Sequence, residues 1–292
     1  MINPTEELFD SHGRLIPVPG ENVFNEVSSR YYRLAKLPRK VESQIKAYQE
    51  LGWLRSASQA DSLIAQLANL LQEIEMSPAR GLCHGPAFPY FLPPDQGLNE
   101  DIGTVATNVL FPCLKSIFEK RHSSSHFKAS LQGQIILESE VSPVLMSGHQ
   151  VLQKHLANRN GLIGWIFPES LMEYGIDAQL KAYERIHGMT NTQNFNIALA
   201  GIHDVASALI ATPDMLTNPV TYAPVLCLGG VAHSDPRYFF NFKSYGNHLE
   251  FWGMPRALTV GGPDQVSEQW TGVISIFSGF EMSRSDLVSF SM

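Results

Sequence analysis

Charge is what this chain has least of. Only 17% of its 292 residues are Asp, Glu, Lys or Arg, against about 25% in an average soluble domain. With 44% hydrophobic residues, that balance excludes intrinsic disorder, which needs few apolar residues and a high net charge, and it excludes a coiled coil. Long hydrophobic runs are missing as well. The longest candidate, Asn196 to Ala211, is broken by His203, Asp204 and Ser207 and falls short of the ~18 to 20 apolar residues that a membrane-spanning helix requires. No membrane partner is therefore expected. Met1 to Glu7 lacks the basic start and apolar core of a secretory signal, so no export leader is expected.

Cysteine is scarce. Cys83, Cys113 and Cys227 are odd in number, widely spaced and without a CxxC pair, which excludes a readable disulfide framework or zinc ribbon. A reducing, cytoplasmic home fits that usage. Basic residues are outweighed, 21 Lys and Arg against 28 Asp and Glu, for a net charge of −7. The densest basic stretch, Arg30, Arg33, Lys36, Arg39 and Lys40, reads as the solvated face of a helix and its exit. Nucleic acid, which selects a concentrated basic patch, is not the expected partner.

What is present reads as α+β: a helical N-terminal part, a mixed region, and a C-terminal antiparallel β-meander. Residues 1–80 form the helical region. Asn22 to Lys36 and Val41 to Leu51 are helical in pattern, the second followed by Gly52 at a C-cap position. The clearest element is Gln59 to Met76, whose Leu63, Ile64, Leu67, Leu70, Leu71 and Ile74 recur on one helical face. Ser58 with Asp61 resembles its capping box. Residues 81–98 are a strap or linker, with four prolines among nine positions from Pro86 to Pro94. Proline removes a backbone donor and fixes φ, so a continuous helix or central strand is not expected there. Residues 99–292 make the α+β part, which can be continuous with 1–80.

Within it, Asp101 to Lys120 predicts a helix interrupted at Pro112, and Arg121 to Ser130 a polar loop. Gln134 to Glu138 and Leu162 to Phe167 predict strands, with a helix over Gln150 to Ala157 between them. Asp177 to Ile186 predicts a helix ended by Gly188. Thr190 with Gln193 predicts the start of another that runs to Ala211. Strands are then expected over Tyr222 to Val231, Arg237 to Ser244, His248 to Trp252 and Thr271 to Phe277. Gly246-Asn247 suits a two-residue primed turn. That turn pairs Lys243 with Glu250 and Phe242 with Phe251, and it divides the hairpin into a polar face and a face of Phe240, Phe242, Leu249 and Phe251.

Metalloprotease, nucleophile-elbow, phosphate-loop, dinucleotide and EF-hand signatures are all absent, and no cofactor or metal is implied. Four weaker constellations remain. On the helix ending at Ala211, Asn196, His203 and Ser207 share a stripe with Asp204 beside it. An imidazole base with a hydroxyl one turn away could act on a substrate, although mid-helix serines lack an oxyanion hole. His122 and His126 are spaced as two helical metal ligands, but the serines between them favour a loop. Cys83-His84 opens the strap, and either can be a turn residue or part of a thiol site. His233 and Arg237 flank an Asp-Pro turn and could read an anion.

Two functions follow. The first is a binding or accessory protein with an aromatic-lined surface for a small apolar ligand or a protein partner, drawing on His84, Tyr90, His233, Arg237 and Trp252. The rival is a hydrolase or transferase with His203 or His84 as acid/base and Asp204 and Ser207 nearby. An enzyme should gather these groups at a concave, partly desolvated pocket; a binding protein should not.

Overall fold

The computed structural model describes residues 8–24, 31–34, 41–93, 102–130, 152, 161–190, 194–217, 222–245, 248–257 and 266–281. Two short helices, α1 (Val41–Gln44) and α2 (Lys46–Glu50), follow one another across Ile45. Gly52 ends them at φ +71°, a left-handed conformation that costs a glycine little and a side-chain-bearing residue much. The apolar stripe that follows folds as α3 (Ala57–Glu75) and buries Leu63, Leu67, Leu70 and Ile74. Leu71, at the margin of the stripe, is only partly buried. The cap is Ser56, whose Oγ accepts from the Gln59 amide at 3.1 Å; Ser58, expected in that role, lies inside the first turn.

Where described, residues 22–24 and 31–34 are extended instead of helical. Val23 bridges Tyr174 and Tyr32 bridges Tyr222, so backbone partners from distant segments replace the helical ones. The proline-rich strap holds no central strand, but it does contribute one at the edge of the sheet. After a 3₁₀ turn at Arg80–His84, Phe88–Leu92 forms strand β1. It is an edge strand, the one place in a sheet where Pro89 does not interrupt a ladder on both sides.

The helix expected near Pro112 is built as α4 (Ile102–Val105), a π-helical turn (Ala106–Leu110) and α5 (Phe111–Arg121). The wide turn directly precedes the proline, where the missing donor and the ring disturb a regular ladder. His126–Ser130, expected as loop, is strand β2. Strand β3 (Leu162–Met172) is buried along all its length. Helix α6 (Ile176–Thr190) runs through Gly188 instead of stopping there. The strand over Gln134 to Glu138 and the helix over Gln150 to Ala157 fall outside the described residues, Leu152 excepted.

The largest correction concerns residues 190–211. No single helix fills them: Asn196–Leu199 is strand β4, and helix α7 is only Ile202–Ala211. Gly201, extended at φ −114° and ψ −156°, separates the two. Strands β5 (Val225–Cys227), β6 (Tyr238–Tyr245), β7 (His248–Pro255) and β8 (Trp270–Gly279) complete the fold.

The sheet order is β1-β3-β8-β5-β6-β7-β2, with β4 also on β8. Pairings are antiparallel except β2 with β7 and β5 with β8, so the α+β class holds. β5, β6 and β7 form an antiparallel meander, but β8 does not extend it; it inserts between β3 and β5. One side of β8 is shared: β5 pairs with residues 270–272 and β4 with residues 274–277. The sheet therefore forks at Val273, whose carbonyl accepts the Ala200 amide at 2.8 Å.

The β6–β7 hairpin has the expected register, Lys243 opposite Glu250 and Phe242 opposite Phe251; the turn dipeptide itself lies outside the described residues. Lys243 and Glu250 form an ion pair of 3.4 Å, while Phe240, Phe242, Leu249 and Phe251 are all buried. Phe111 of α5 reaches this face, its ring 4.8 Å from that of Phe251. One apolar core cluster joins Phe9, the α3 stripe, α7 and the sheet.

Candidate functional site

Helix α7 carries the residues with the strongest catalytic expectation, and it has no solvated side: every residue from Ile202 to Ala211 is buried. Asp204 sits in its first turn beneath the fork. One carboxylate oxygen accepts from Gly201 N at 2.8 Å and Val205 N at 3.0 Å, which satisfies donors that a helix start leaves open. Burial pushes its pKa up to about 7, against the opposing effect of hydrogen bonds from Ser275 and those amides. The Ser275 hydroxyl also meets the Tyr90 hydroxyl at 2.9 Å. The phenol of Tyr90 is pushed well above its ordinary pKa, first by burial and then by the Asp204 charge.

Ser207 is engaged differently. Its hydroxyl donates to the Phe91 carbonyl at 2.7 Å and lies 2.9 Å from the Tyr48 hydroxyl, which in turn accepts from Phe91 N at 3.1 Å. These contacts tie α7 to β1 and α2. Ser207 thus lies under a strand, not beside an open space. His203 is 4% exposed and adjoins a void of about 10 Å³ lined also by Leu152, Gly201, Asp204 and Gly230, room for about one water molecule. Asn196, expected on the same helical stripe, belongs to β4 and pairs opposite Phe277.

The other expected site residues are dispersed. Tyr90 is wholly buried, as are Phe88, Phe91, Trp165 and Trp270; these aromatics form core, not an exposed surface. Trp252 is half-buried on β7, with the Lys243 ammonium 4.4 Å from its ring centre. His84 is exposed at the end of the 3₁₀ turn, with Nδ1 3.3 Å from the Asp10 carbonyl. His233 accepts the Asp235 amide on Nδ1 at 2.9 Å and packs against Phe240. Arg237 pairs with Asp235, Nε to Oδ1 at 2.9 Å, and this guanidinium holds the carboxyl down at about 2. The loop thus satisfies its own charges. His122 and His126 turn to separate carboxylates, Asp214 at 3.1 Å and Glu119 at 3.7 Å. Among the described residues no group of three or more His, Cys, Asp or Glu could hold a metal ion.

A different concavity has the dimensions of a ligand site. Helices α1 and α2, the end of α5 and the end of α7 enclose a cleft of about 580 Å³, within the usual ~300 to 1,000 Å³ of small-molecule sites. Ala47, Ile117, Ala211 and Pro213 supply its apolar walls. Its charged residues are mostly paired: Lys120 with Glu50 at 2.6 Å, and Arg121 with Asp214 at 3.0 Å. Gln44 is buried between them. Its Nε2 donates to Thr212 Oγ1 at 3.1 Å, while Oε1, sealed from solvent, has no hydrogen-bond partner among the described residues. A buried amide oxygen without a donor is costly, commonly ~1 to 3 kcal/mol.

Sequence reasoning missed this cleft entirely. Its residues come from three separated segments, 43–50, 117–121 and 211–214, and no local pattern joins them. Compared with protein-family models, with curated proteins and with solved structures, the chain matches none.

Proposed function

We propose that this chain is a non-catalytic binding protein of a reducing cytoplasm, and that its ligand is a small polar molecule seated in the cleft between α2, α5 and the end of α7. The observation that carries the reading is the cleft of about 580 Å³ itself, walled by Ala47, Ile117, Ala211 and Pro213 and edged by two ion pairs. An apolar ligand on an aromatic wall has less support, because Tyr90 is packed in the core and the Lys243 ammonium lies against the half-buried Trp252 ring. The hydrolase or transferase reading has less support: His203 lies beside a void too small for a substrate, and His84 is exposed with Nδ1 3.3 Å from the Asp10 carbonyl.

The test is a melting-temperature screen of the intact chain against amino acids, sugars, nucleosides and organic acids, repeated on Ala47→Trp to fill the cleft. A ligand that binds only the folded state raises the melting temperature by mass action. The expected result is at least one compound that stabilises the natural chain and has no effect on the filled variant. Hits that persist after filling, or no hits in any class, overturn the reading.

A further inference from the structure

We propose that the last turn of α5 is a gate over the cleft, latched shut by the ion pairs Lys120–Glu50 and Arg121–Asp214 and opened when these are screened or broken. The gate rests on the cleft being a binding site and adds how that site is entered. The walls of the cleft are held in two different ways. Helices α1 and α2 are fastened to the α7 side from within the protein. Gln44 Nε2 donates to Thr212 Oγ1 at 3.1 Å, and the Tyr48 hydroxyl donates to the Ser207 carbonyl at 2.9 Å. All four residues are buried, so both bonds act at low local dielectric, where they are strongest.

The end of α5 has no such fastening. Phe111, Leu114, Ile117 and Phe118 are its buried residues, and none of Glu119 to His122, which follow them, is buried. Two ion pairs carry this turn across the cleft. Lys120 Nζ meets Glu50 of α2 at 2.6 Å, and Arg121 Nη2 meets Asp214, beyond α7, at 3.0 Å. His122 Nε2 lies 3.1 Å from the other Asp214 oxygen. The four side chains of the two pairs line the cleft and are between 35% and 69% exposed, which puts the latch at the solvent rim. Exposed pairs are individually weak, and salt screens them. Outside the cleft lining, the same turn is held to β2, where Glu119 accepts from Phe127 N at 3.2 Å; this contact supplies a pivot that opening does not disturb. Buried bonds fix one wall, weak exposed pairs hold the other, and elements of low local stability are the ones that serve as lids.

The experiment places a thiol in the cleft of the full chain by Ala47→Cys, with Cys83→Ser and Cys113→Ser so that the buried Cys227 is the one other thiol. Its alkylation rate with a bulky neutral reagent, pyrenylmaleimide, is divided by its rate with the small iodoacetamide, which cancels changes in the thiol's own reactivity. From about 10 mM to about 1 M NaCl the Debye length falls from ~30 Å to ~3 Å, and the ratio should rise ~5-fold or more as two weak pairs are lost together. At low salt, Glu50→Gln with Asp214→Asn should already show the raised ratio and should lose its salt dependence. If that variant fails to fold, Lys120→Gln with Arg121→Gln breaks the same pairs from the α5 side and takes its place. A ratio that salt leaves unchanged, or one equal at low salt with the pairs intact and broken, overturns the gate. No ligand enters the measurement, so the gate and the binding reading fail separately. A flat ratio beside hits in the melting screen removes the gate alone; a salt-dependent ratio beside an empty screen supports the gate and removes the ligand.

Discussion

Asp204→Asn isolates the energetic consequence of placing an acid under the sheet fork. Asp204 has a pKa of about 7 in the folded chain, against 3.8 as its ordinary value. The folded state therefore holds this proton more tightly than the unfolded state. Its contribution to stability is fully present below about pH 4 and is lost as pH rises through about 7. At ~1.4 kcal/mol per pH unit, the difference amounts to about 4 kcal/mol between pH 4 and pH 8. Asparagine keeps an oxygen for the Gly201 and Val205 amides and has no proton to lose. Urea unfolding, followed by the fluorescence of the buried Trp165 and Trp270, should be measured for both proteins from pH 4 to 8. The stability of the natural chain minus that of Asp204→Asn should fall with a slope approaching ~1.4 kcal/mol per pH unit near pH 5 to 6. Glu169 is also raised by burial, but it titrates in both proteins and cancels. A flat difference, or one that rises with pH, would show that the carboxylate is ionised comfortably and that the burial argument is wrong.

Leu67→Ala, at a position with no exposed surface on α3, should cost ~2 to 5 kcal/mol in the same assay; a loss below ~1 kcal/mol would mean the α3 stripe is loosely packed. Ser207→Ala should cost ~1 to 3 kcal/mol by leaving the Phe91 carbonyl without its donor, with ligand binding per folded molecule unchanged. No disulfide joins any of Cys83, Cys113 and Cys227, so thiol titration of the denatured, unreduced protein should count all three. In the native protein Cys227 should react last, since burial pushes its thiol up to about 12.

Where a segment carries its own chemistry on both faces, the sequence by itself determined the outcome. The α3 leucines recur with the helical period, and Gly52 stands where the chain needs positive φ. The β6–β7 register follows from an ion pair on one face and phenylalanines on the other, since a one-residue slip would exchange them. Other segments have no such internal criterion. Asn196–Leu199 is a short apolar run that serves a helix or a strand equally well, and pairing with β8 decides it. Phe88–Leu92 is a strand despite Pro89 because the edge of the sheet tolerates a missing donor, and His126–Ser130 is one because β7 offers it backbone partners. For the candidate sites, the sequence named His203, Asp204 and Ser207 as neighbours, but the helical stripe it drew through Asn196 dissolved at Gly201. Only the tertiary structure decided that Asp204 is enclosed, that Ser207 is tied beneath β1, and that Gln44, Lys46 and Thr212 share a cleft. Burial and convergence depend on which distant segments meet, and residue order along the chain encodes that through the summed packing of the whole core, not through any local motif.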